Sequence, residues 1–171
     1  MSISMHKASA PVFLRMLGNL DALLDKAEKY AKERNFDPNL LVTSRLAPDM
    51  RPLSAQIQFA SDTSKFAIAR LSGGAAPPMA DTETTIAELR ERIKKTVDYI
   101  KSVPASAVDG SEEREVVLKF PNGEMKFTGL AYLTGFAARA GAEATLALTF
   151  KPDHSLGSDH LLANKPPSFS V

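Results

Sequence analysis

The sequence predicts a mainly α-helical chain, a four-helix bundle with a small β-hairpin inserted before the last helix. Three observations predict it. Apolar residues recur at the 3.6-residue period in three long segments. Helix start and stop signals bracket those segments, and one Asn-Gly turn interrupts the helical pattern late in the chain.

The first helix is expected to begin near Ser9, a capping residue, with Pro11 in the first turn where a missing N–H is not needed. Phe13, Met16, Leu17, Leu20, Leu23, Leu24, Ala27 and Ala31 then form a stripe that runs to Arg34. From Asn35 to Pro52, three prolines disfavour a continuous helix, and Leu40, Leu41 and Leu46 suggest a short turn that plugs into the core.

A second helix is expected from Leu53 to Leu71, stopped by Gly73-Gly74. Steps of 100° place Leu53, Ile57, Ala60, Ala67, Ile68 and Leu71 on one face, with Phe59 and Phe66 opposite. The third helix opens on the capping box Thr85-x-x-Glu88, continues through Ile86, Leu89, Ile93, Val97 and Ile100, and ends at Pro104.

Glu115–Phe120 and Met125–Thr128 flank Pro121-Asn-Gly-Glu124, the signature of a tight hairpin. Thr128 then caps a fourth helix whose stripe is Leu130, Leu133, Phe136 and Ala137, extending through Ala140, Ala144 and Leu148. The division expected is a helical domain over 1–150 and a polar tail of loop or disorder over 151–171.

Composition excludes several functions. With 171 residues, 44% hydrophobic and 24% charged, the chain fits one domain able to bury roughly 70% of its unfolded surface. A net charge of +1 speaks against nucleic-acid binding, which needs concentrated Lys and Arg. Absence of cysteine removes disulfides, thiolate metal sites and a thiol nucleophile. No stretch of ~18 apolar residues could span a bilayer and the opening Met1–His6 is not a secretory leader, so a cytoplasmic protein is expected.

Met1–Met5, Ala10–Leu17, Arg45–Met50, Pro52-Leu53, Gln56-x-Gln58 with Asp62 and Lys65, Glu83-Thr-Thr85, Glu115–Leu118 and Phe127-Thr-Gly129 form a set of short motifs spread over the helices, the connector and the hairpin. Through these residues the sequence resembles the DUF1993 family, a bacterial branch of the DinB-like superfamily classed as a domain of unknown function. From Ala137 onward the match fails: the aromatic, histidine-bearing last helix of the family is replaced by Ala138-Arg-Ala-Gly-Ala-Glu-Ala144 and a polar end, through divergence or a reading-frame change. Relatives in the wider superfamily often hold a divalent metal with one histidine from the second helix and two from the fourth. In this chain the second helix has no histidine, and only His6, His154 and His160 exist as weak metal candidates.

Candidate ligand-binding residues are therefore Gln56, Gln58, Asp62 and Lys65 on the second helix and Arg45 and Asp49 in the connector. Gln58, Asp62 and Lys65 share one stripe, which reads either as a solvated Asp–Lys seam or as the mouth of a site where Asp62 holds a cationic group or acts as a base. Phe59 and Phe66 are expected in the bundle core or in a homodimer contact. No cofactor is predicted. The functional expectation is a non-catalytic module that binds a small ligand or a partner; the alternative is a divalent-metal-dependent transferase or hydrolase, with Asp62 and a histidine as ligands.

Overall fold

The computed structural model describes residues 3–121 and 123–138. Helix α1 spans Met5–Glu33, a short 3-10 turn Pro38–Leu41, α2 Leu53–Ser72, α3 Ile86–Ser102 and the single-turn α4 Ala105–Val108. Strands β1 (Glu115–Phe120) and β2 (Gly123–Thr128) follow, then α5 (Gly129–Tyr132), which passes directly into a π-helical turn, Leu133–Ala137.

The first helix starts a turn earlier than its local signals suggest. Ser4 is the cap, its Oγ accepting from Lys7 N at 3.4 Å, and Pro11 lies inside the helix. An interior proline costs about 3 kcal/mol. Burial of Met5 (2% exposed) and Ala10 returns a comparable amount, at about 1.5–3 kcal/mol for a large apolar side chain. Ser9, expected as the cap, is buried and donates its hydroxyl to Met5 O at 2.7 Å.

In the connector, Leu40 is exposed, while Val42 and Met50 plug the core in place of the expected leucines. The second helix ends as expected, with Gly73 in the left-handed region at φ 74°. Thr85 and Glu88 complete the capping box of α3 from both sides.

Ser54 N donates to Val42 O and Ile86 N donates to Asn39 Oδ1, so α2 and α3 begin side by side; Tyr99 OH, near the end of α3, donates to Ala75 O just past the end of α2. These two helices therefore run parallel, and residues 73–85 return along them. Helix α1 runs the other way, since Arg90 at the start of α3 pairs with Asp21, Asp25 and Glu28, while His6 N meets Asp109 Oδ1 at the opposite end. The core lies between these helices: Phe13, Leu17, Leu20 and Leu24 against Ile57, Ile68, Leu71, Leu89 and Ile100.

The hairpin is antiparallel, with Glu115 opposite Thr128 and Phe120 opposite Gly123. Its second strand begins two residues earlier than expected, at Gly123 (φ 141°). Val116 and Leu118 face the core, and Thr128 caps α5 as expected, its Oγ accepting from Ala131 N at 3.3 Å. Leu130 is exposed, however, and Tyr132, Leu133 and Ala137 are the buried residues. Gly129 sets this rotation: a Cβ there would lie 2.0 Å from Ser111 O, so the backbone seats directly on that carbonyl. Ala140, Ala144, Leu148, the expected domain end at 150 and the tail 151–171 lie outside the described residues.

Candidate functional site

The outward seam of α2 and the inward face of α3 meet at a charged cluster. Asp62 Oδ1 accepts from Lys65 Nζ at 2.9 Å and from Arg92 Nη2 at 2.8 Å. The Arg92 guanidinium also reaches Asp81 Oδ1 at 2.9 Å, Glu83 Oε1 at 2.8 Å and Ala80 O at 3.0 Å. Gln58 Nε2 completes the ring by donating to Glu83 Oε2 at 2.8 Å. Lys65 and Arg92 are 2% and 1% exposed at the side chain, whereas Asp62 is 30% exposed. Three carboxylates surround two cations, so the cluster carries a net charge of −1.

The expected Asp62–Lys65 pair exists, but it is not a solvated seam. Lys65 lies inside, its stem on the same inner face as Ser61, Ser64 and Ile68 and its Nζ 4.9 Å from the centre of the Phe66 ring. Buried charges persist only when paired, because desolvating an ion costs several kcal/mol. Burial by itself would raise the Glu83 carboxyl, but hydrogen bonds from Arg92 and Gln58 outweigh it and hold this group below the ordinary glutamate range. Burial works against the Arg92 charge too, and Glu83, Asp62 and Asp81 more than reverse that effect.

Beside Arg92 opens a cleft of about 330 Å³, lined among others by Met79, Thr82, Glu83, Glu91 and Lys95. Its wall is the 75–83 segment, which α3 straps down through Tyr99, Thr96 and Arg92, one turn apart. Arg92 Nε has no hydrogen-bond partner among the described residues.

Other expected site residues lie apart from this cluster. Gln56 is buried, and its Nε2 donates to Arg51 O at 3.5 Å. Arg45 and Asp49 are exposed; Arg45 bonds Pro48 O within its own loop, and neither pairs with Gln58, Asp62 or Lys65 among the described residues. His6 sits at the start of α1 and uses its backbone N–H on Asp109. His154 and His160 lie outside the described residues. Phe59 and Phe66, read as core or contact residues, are not in the core: they are 50% and 37% exposed.

A three-histidine divalent metal site does not fit the α2 seam. No histidine lies on this helix, its only carboxylate, Asp62, has Oδ1 engaged by Lys65 and Arg92, and Gln58 is committed to Glu83. Among the described residues no group of three or more His, Asp or Glu is arranged to hold a metal.

Sequence reasoning missed Arg92 and the site role of Glu83. A signal existed for the first: Arg92 falls three residues after Leu89 and four before Thr96, on the buried stripe of α3. A charge on an apolar stripe announces a buried partner. For the second the only signal was the family-like motif Glu83-Thr-Thr85, which says nothing of a partner: Glu83 lies in a loop, and only the return of residues 73–85 along α3 brings it to Arg92.

Comparison with known proteins agrees with this architecture. A crystal structure of a DinB family member protein from Shewanella denitrificans is 32% identical, superposes with a TM-score of 0.76, and covers 84% of this chain with 81% of its own. No curated protein matches. The family described as a domain of unknown function (DUF1993) matches residues 5–139. The chain thus belongs to the DUF1993 family and has the fold of a DinB family member.

Proposed function

We propose that this chain is a non-catalytic binding module of the bacterial cytoplasm whose site is the outer face of α2 around Asp62. One observation carries the reading: Asp62 is fixed between two buried cations in a cluster that still has one negative charge in surplus. Its carboxylate is positioned in advance, partly open to solvent, and suited to a cationic group brought by a ligand or partner. Preorganisation of this kind lowers the ordering cost of binding.

A second copy of the chain is one partner that suits this face, because Phe59 and Phe66 flank Asp62 and are exposed. Exposed aromatic residues next to fixed charges are the usual anchors of protein contacts.

Native mass spectrometry of the untagged protein tests the proposal. The expected result is a metal-free mass, as a dimer or with a retained cationic small molecule. Stoichiometric zinc, nickel or iron would overturn the non-catalytic reading in favour of a metal-dependent transferase or hydrolase.

A further inference from the structure

Resting on the reading of the α2 face as a binding surface, we propose that two copies of this chain pack α2 against α2, antiparallel, about a two-fold axis at Phe66, so that Arg70 of each copy meets Asp62 of the other.

Asp62, Phe66 and Arg70 follow at four-residue steps and so share one stripe, with Phe59 one further turn pair away on the same side. Asp62 belongs to the cluster with a surplus negative charge. Arg70 is the complement: among the described residues it has no carboxylate partner. Its guanidinium lies 5.2 Å from the Phe66 ring centre and 5.5 Å from that of Tyr132, and Nη1 donates to Tyr132 OH at 2.8 Å. The aromatic rings hold the group flat while the rest of its planar fork stays available for a carboxylate.

Within one chain the two charges cannot meet. Eight helical residues set them about 12 Å apart along the axis. An antiparallel copy centred on Phe66 reverses the order of its own stripe, so the acid one turn before the axis faces the base one turn after it. The contact then occurs twice by symmetry, as in any isologous interface. Phe66 meets Phe66 on the axis, excluding water from two ion pairs and neutralising the surplus charge of each cluster.

The chain has no cysteine, which makes the register directly testable. F66C places one thiol per chain at the axis, where mild oxidation should give a covalent dimer, since a disulfide needs Cα atoms within about 7 Å. F59C is the register control: it lies seven residues from the axis, so two copies of it fall about 21 Å apart and should stay unlinked. Sedimentation should show a wild-type dimer, and R70E, by facing Asp62 with a second carboxylate, should weaken it by at least about tenfold.

A wild-type monomer at the highest soluble concentration would overturn the proposal. So would a dimer that links through F59C, links through neither position, or ignores R70E. None of these results removes the α2 face as a site for another cationic partner; that reading fails separately, on a stoichiometric metal in the native mass.

Discussion

Arg92 engages four acceptors from three parts of the chain with its two terminal nitrogens: α2, the 80–81 backbone and side chain, and Glu83. Removing it would leave Asp62, Asp81 and Glu83 facing one another with only Lys65 in compensation. R92A should therefore destabilise the fold by about 3–5 kcal/mol, read as a lowered urea midpoint at unchanged slope. Glu83 gives the pH dependence of the same cluster. Its folded pKa lies below the unfolded value, so its contribution is complete above the ordinary glutamate range, about 4.3, and is lost as pH falls through the lowered value. Stability measured from pH 7 to 3 should show a shallower acid limb in E83Q than in the wild type, together with lower stability at pH 7.

At the scale of elements, the stop and start signals that the sequence carries do correspond to measurable terms. Thr85 and Glu88 exchange hydrogen bonds at the head of α3, and T85A should cost about 1 kcal/mol, seen as a lower thermal midpoint. Gly129 is a different case, a close approach and not a cap. The atom it faces, Ser111 O, belongs to backbone that cannot swing aside, so G129A should displace α5 from the hairpin junction and cost at least about 1–3 kcal/mol. Near-ultraviolet dichroism of Tyr132, which is packed against Phe127 and Phe136, is the local reporter: an unchanged spectrum in G129A would show that the junction is not tight.

For the whole molecule, no helix among the described residues is long and apolar enough to cross a membrane, and three long helices with a hairpin share one core. If two copies associate through α2, unfolding becomes linked to association, and the thermal midpoint should rise with protein concentration in the wild type and much less in R70E. A midpoint independent of concentration in both would count against association. The sequence by itself determined the class of fold, the bounds of α2 and α3, the capping box and the hairpin, because each rests on periodicity or on contacts within four residues. It also placed Gln58, Asp62 and Lys65 on one stripe. Only the tertiary structure decided that Lys65 is buried, that Arg92 and Glu83 close the cluster, that α1 absorbs Pro11, and that Leu40 and Leu130 face solvent. Those outcomes depend on which surfaces meet across the bundle: the energy of a buried ion pair or of a proline within a helix is set by partners tens of residues away, which no local pattern encodes.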